Sequence, residues 1–141
     1  MTIQKKEIIN YKEVYISCDG REFDNKEDCL LWEKSYAVTM QKSFESLDPI
    51  EIDAAEYMIP YGNSDDNAFA VFPRSLDDIV VLNAYISHKT DYTTPLDAQC
   101  IGKVVILNFG YDFDYCDVFI YEEQIALAKE KLANLTKRFT E

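Results

Sequence analysis

Lys103-Val104-Val105-Ile106-Leu107-Asn108-Phe109-Gly110-Tyr111-Asp112-Phe113-Asp114-Tyr115-Cys116-Asp117-Val118-Phe119-Ile120-Tyr121 decides the fold. Residues 103–109 and 115–121 are rich in β-branched and aromatic side chains, which suit a pleated and half-buried surface. Gly110 to Asp114 lies between them as a turn, so the stretch reads as a hairpin. Glu122 and Glu123 follow directly, and carboxylates favour the positive end of a helix dipole. Ile125, Ala128, Leu132, Leu135 and Phe139 then recur as an apolar helical stripe, with Lys137 and Arg138 near the negative end.

Working upstream, the same order recurs twice. Ile50 to Ile59 is expected to be extended, with Ile50 and Ile52 on one face. Residues 61–66 form a loop, Asn67 to Phe72 a second strand, and Pro73 closes it. Ser75 with Asp78 marks a helix start, and Ile79, Leu82, Asn83 and Ile86 carry that helix to about His88. Val14 to Cys18 and Arg21 to Phe23 flank Asp19-Gly20, the signature of a two-residue type I′ turn. Asp24 with Glu27 has capping-box spacing. A helix from about Asn25 to Leu47 should bury Cys29, Trp32, Tyr36, Met40, Phe44 and Leu47. Thr90 to Gly102 is expected to be a loop.

These readings predict an α+β chain of three β-hairpin–helix units, with an antiparallel sheet packed against helices on one face. The three units share no clear sequence identity. With 141 residues and 48% hydrophobic content, residues 1–141 are expected to form a single globular domain.

Asp and Glu number 26 against 14 Lys and Arg, a formal net charge of −12. Nucleic-acid binding draws on Lys and Arg displacing counterions. The balance therefore disfavours direct contact with DNA, RNA or anionic membranes, and it favours basic protein surfaces. Cys18, Cys29, Cys100 and Cys116 show no metal-site or redox spacing. Met1 to Asn10, with Lys5, Lys6 and Glu7, carries no signal-peptide pattern, and no apolar run is long enough to span a bilayer. The expectation is a cytoplasmic protein with reduced thiols.

Familiar catalytic devices are missing from the sequence. His88 is the single histidine and falls at a helix end, where histidines cap carbonyls. Neither a P-loop nor a G-x-G-x-x-G fingerprint occurs. Asp112, Asp114 and Asp117 are spaced closely enough to suggest a cation, but they lack the glycine and distal glutamate of an EF-hand loop. No cofactor, metal or catalytic residue is expected.

Asp19-Gly20, Phe23-Asp24, Cys29 and Trp32-Glu33 together spell D-G-x-x-F-D-x-x-x-x-C-x-x-W-E. This resembles the opening of many small acidic accessory proteins of bacteriophages and mobile elements. The resemblance covers about fifteen residues. It implies action in a bacterial host cytoplasm against host defence, as with anti-CRISPR proteins.

The expected function is therefore a non-enzymatic inhibitor that mimics nucleic acid. It would occupy a Lys/Arg-lined cleft of a defence effector, such as a CRISPR nuclease. Candidate contacts are Asp65 and Asp66, then Asp112, Asp114, Asp117, Glu122 and Glu123, with Tyr111 and Tyr115 as aromatic anchors. One alternative is a sponge for a signalling nucleotide, which needs Arg21, Arg74, Lys89 and Lys103 to converge. Another is a small enzyme with metal at Asp112 and Asp114.

Overall fold

The computed structural model describes residues 2–4 and 11–140; Lys5, Lys6 and Glu7 lie outside the described residues. Among the described residues the chain is α+β, with three α-helices and two antiparallel sheets of two and four strands. It divides into two compact units, Met1–Ala37 and Val38–Glu141. No helix among the described residues is long and apolar enough to cross a membrane.

The first unit holds β1 (Tyr15–Ile16), β2 (Glu22–Phe23) and most of α1 (Lys26–Glu45). The hairpin turn is not the expected two-residue type. Gly20 N donates to Ser17 O at 2.9 Å, Ser17 N donates to Arg21 O at 2.8 Å, and only Gly20, at φ 85°, enters the left-handed region. Cys18, Asp19 and Gly20 thus form a three-residue loop, in which one left-handed glycine suffices. Asp19 is held instead by side chains: Ser17 Oγ and Trp32 Nε1 both donate to its carboxylate, the latter at 3.1 Å. Those hydrogen bonds, led by Ser17, lower the Asp19 pKa. Arg21 lies 4.4 Å from the Trp32 ring centre, and Glu33 accepts from Cys18 N at 3.0 Å. The D-G…W-E residues therefore clamp hairpin to helix.

The N-cap of α1 is Asn25 rather than Asp24. Asn25 Oδ1 accepts from Glu27 N at 2.7 Å, whereas Asp24 pairs with Lys12 at 2.8 Å. The stripe on α1 is as expected: Cys29 and Phe44 are buried, and Trp32, Tyr36, Met40 and Leu47 are half-buried. The helix stops at Glu45, and Asp48 turns the chain at φ 53°.

In the second unit, β3 (Ile50–Ile52), β4 (Asn67–Val71), β5 (Val105–Phe109) and β6 (Cys116–Ile120) form one antiparallel sheet in that order. α2 (Leu76–Lys89) connects β4 to β5, and α3 (Tyr121–Thr140) follows β6 without a linker. Ser75 caps α2, accepting from Asp78 N at 3.2 Å. Residues 90–102 are irregular apart from a short 3-10 turn at Ala98–Cys100.

All five residues of β5 are buried, because both sheet faces are covered. On one face, Val105, Leu107 and Phe109 meet Leu82, Tyr85 and Ile86 of α2 and Phe44 of α1. Phe44 stacks on Tyr85 at 3.9 Å. On the other face, Ile106 packs with Ile52, Ala54, Ile59 and Ala68.

That second cover is a loop, and it overturns the expected extended run from Ile50 to Ile59. Asp53 Oδ1 accepts from Ala55 N at 2.9 Å, and Tyr57 N donates to Asp53 O at 3.1 Å. Such an Asx turn gives the backbone an alternative to the ladder. The chain curls there and plugs Ala54 and Ile59 into the core. Helix α3 also departs from expectation, since none of its residues is buried.

Replacing Asn25 with alanine is expected to cost about 1 kcal/mol in urea unfolding. Asp24→Ala removes only an exposed ion pair and should cost less than ~1 kcal/mol. Equal losses would return the cap to Asp24.

Candidate functional site

The antiparallel order brings the end of β3, the start of β4, the end of β5 and the start of β6 to one end of the sheet. Asp65 and Asp66 precede β4 there, and Asp112, Asp114 and Asp117 surround the β5–β6 turn. Tyr115 lies among them. Its hydroxyl pKa is raised by burial first, then by the negative charges of Asp66, Asp117, Asp114 and Asp112. The approach to β4 and the β5–β6 turn thus contribute carboxylates to one cluster.

Two asparagines build this end. Asn67 Nδ2 donates to Gly110 O at 3.2 Å and to Tyr111 O at 3.0 Å, fastening the acidic turn to β4. Asn108 is 1% exposed, and its Nδ2 donates to Asp66 Oδ2 at 3.3 Å. Asp66 Oδ2 also accepts from Asn63 N at 2.9 Å. Asn108 Oδ1 has no hydrogen-bond partner among the described residues. Asn108 stands opposite Asp117 in the β5–β6 ladder and opposite Ala68 in the β4–β5 ladder. Directly opposite residues share a face, so a polar step interrupts the second core where the acidic end begins.

The turn itself is tight. Phe113 takes φ 57°, and its N–H donates to Gly110 O at 3.1 Å. A Cβ on Gly110 would stand 2.5 Å from Asp114 Oδ1 and 2.6 Å from Tyr115 Cε1. That close approach explains the glycine. It also desolvates Asp114, whose pKa is raised first by desolvation and then by the hydrogen-bonded and negatively charged Asp112. Tyr111 and Asp112 are exposed at the tip.

The remaining candidates lie elsewhere. Glu122 and Glu123 open α3 at the far end of β6, about 16 Å of strand away, where Glu122 faces Lys103 at 3.9 Å. Among the described residues, the salt bridges Lys12–Asp24 and Lys103–Glu122 do not involve Asp66, Asp112, Asp114 or Asp117. Among the described residues, no three His, Cys, Asp or Glu side chains group to hold a metal ion.

Cations are dispersed rather than gathered. Arg21 stacks on Trp32, Arg74 on Phe72, and Lys89 near the rings of Tyr85 and Phe113, while Lys103 faces Glu122. Arg74 and Lys103 lie at the end of the sheet opposite Lys89. His88 is half-buried in the last turn of α2. Burial pushes the Cys116 thiol up to about 12, which leaves little thiolate at neutral pH.

Asn67, Asn108 and Gly110 were not singled out from sequence. The available signal was Asn108 itself, one polar residue inside Val105-Ile106-Leu107-Asn108-Phe109.

Two outcomes follow from this geometry. In the folded state Asp114 holds its proton more tightly than in the unfolded chain, so its ionisation disfavours folding as pH rises. Asp114→Asn is expected to raise the urea midpoint at pH 7. That gain should shrink in acid, where wild-type Asp114 is protonated. Gly110→Ala should destabilise by ~1–3 kcal/mol through overpacking, read in the same titration.

No family model, curated protein or solved structure matches the chain.

Proposed function

We propose that this protein is a non-enzymatic binding protein that docks the acidic end of its four-stranded sheet onto a Lys/Arg-lined surface. The observation that carries the reading is the group of Asp66, Asp112, Asp114 and Asp117 around Tyr115, outside the salt bridges Lys12–Asp24 and Lys103–Glu122 of the described residues. Like charges held together raise one another's electrostatic energy, and a cationic surface relieves that repulsion. Asp65 and Tyr111 are exposed beside them and extend the contact.

The partner is a nucleic-acid-handling enzyme, whose substrate channel supplies clustered Lys and Arg. A bacterial defence effector such as a CRISPR nuclease is the case that the phage-protein resemblance implies. Rim carboxylates speed encounter and give a salt-dependent on-rate, while the tyrosines supply desolvated contact area. Inhibition then needs no chemistry: the acidic end occupies the groove and excludes the nucleic acid. Glu122 and Glu123 contribute only through the long-range field, because β6 separates them from the cluster.

The test is capture from bacterial lysate on the immobilised chain at low and high salt, followed by assay of the captured enzyme's nucleic-acid binding. The expected outcome is a nucleic-acid enzyme that high salt releases and that loses nucleic acid when the chain is added. A variant with Asp112→Lys and Asp117→Lys, shown to be folded by circular dichroism, should fail to capture it. Capture by that variant at wild-type strength would sink the charge-docking mechanism.

A further inference from the structure

Helix α3 is amphipathic, yet after Tyr121, which packs half-buried against the second core, its apolar side chains are exposed. One stripe on it is Tyr121, Ile125, Ala128, Leu132, Leu135 and Phe139, separated by 4, 3, 4, 3 and 4 residues, while Ala126, Leu127 and Ala133 lie off it, Leu127 at 49% exposed. Strict alternation of three and four is the seam of a coiled coil, broader faces being usual for helices that pack into a globular core. Leu132 is 65% exposed and Phe139 87% exposed. Twenty residues of helix span about 30 Å.

The start of the seam faces a preformed groove. Tyr121 Oη donates to Tyr57 O at 3.3 Å, and the two rings meet edge to face at 6.1 Å. Tyr57, Met58, Tyr121, Ile125, Ala128 and Leu132 line a largely apolar hollow of about 300 Å³. Met58 is 88% exposed beside it, held at φ 55°.

We propose that α3 pairs with α3 of a second copy of this chain, antiparallel, to form a two-fold dimer. Charge selects this occupant and direction. Glu122 and Glu123 open the helix, and Lys137 and Arg138 close it. Antiparallel pairing sets acids against bases at both ends and opposes the two helix dipoles. A parallel pair would set acids against acids and bases against bases.

The register is also determined. Centring the pair on Glu130 places Tyr121 opposite Phe139, Ile125 opposite Leu135, and the small Ala128 opposite Leu132. Every layer then matches apolar with apolar, and Phe139 of the second copy reaches the hollow beside Tyr57 and Met58. Lys129 comes near Lys131 of the second copy at the centre, and Lys131 near its Lys129. That repulsion weakens the pair, and the long side chains relieve it by extending into solvent. The interface is isologous, as a two-fold dimer requires, and it rests on α3 independently of the acidic end.

Sedimentation equilibrium of the full chain tests this directly. Wild type is expected at twice the monomer mass, and Leu132→Asp at the monomer mass with an unchanged circular dichroism spectrum. Phe139→Ser repeats the readout should Leu132→Asp alter helix content. Glu122→Lys with Glu123→Lys should loosen the dimer several-fold, and adding Lys137→Glu with Arg138→Glu should restore it. A monomeric wild type would assign the face to some other partner and overturn the proposal. So would a dimer indifferent to both apolar variants, or a charge exchange that fails to restore association.

Discussion

Strand β5 leaves none of its five residues exposed, and the organisation of residues 38–140 follows from covering both of its faces. A strand buried on both faces needs two separate apolar covers. Helix α2 and the end of α1 supply one, built around Leu82, Tyr85, Ile86 and Phe44. The loop after β3 supplies the other through Ala54 and Ile59. A loop that serves as a cover must satisfy its own backbone groups. Asp53 provides for this by accepting from Ala55 N and Glu56 N. Gly62 permits the close return, since a Cβ there would stand 2.8 Å from that of Ala54.

The same requirement shapes the acidic end. The second cover stops at Asn108, and there the face changes from apolar to charged. Asn108 partners its amide donor with Asp66, while its buried Oδ1 has no hydrogen-bond partner among the described residues. Asp66 is therefore both a framework residue and a surface charge. Asn67 plays the parallel part for the β5–β6 turn. Two neutral amides thus hold carboxylates close together without cancelling their charge, whereas a lysine in either position would neutralise them. Charge held in place by hydrogen bonds loses little ordering entropy on meeting a counter-charge.

What could be read from sequence was what local chemistry controls. Ser75 and Asp78 announce α2 because the cap acts within one turn. The Gly110–Asp114 turn stands out between two apolar runs. Neighbouring residues of equal capping strength were not separable: Asp24 and Asn25 are both good caps, and Lys12, distant in sequence, draws Asp24 away. The Asp19-Gly20 turn differed because Ser17 pairs with Arg21, which lengthens the loop by one residue. Ile50 to Ile59 was misread past Ile52 because β-propensity competes with an aspartate side chain that bonds its own backbone. For the candidate site, the run Tyr111–Asp117 was visible as acidic. Its convergence with Asp66 was set by the β4–β5 ladder, which forms across the intervening helix. The separation of Glu122 and Glu123 from the cluster followed from β6 running between them.

Helix α3 shows the limit of periodicity most clearly. The apolar stripe from Ile125 to Phe139 is evidence that a face is to be covered, and its spacing favours a helix as the cover without saying from which chain. In α2 a broader apolar face meets the sheet, because the chain returns through β5 and has to lie beneath it. The N-terminus of α3 is attached directly to β6 at Tyr121, whose N–H donates to Val104 O, so the first turn is aimed by the strand and not by a flexible linker. That junction lies at the opposite end of the sheet from Asp112 and Asp114. An α3 pair therefore leaves the acidic ends uncovered, and a dimer of this kind presents two of them. Two linked charge-docking sites bind a bivalent or clustered cationic partner more tightly than one site can, without any new contact.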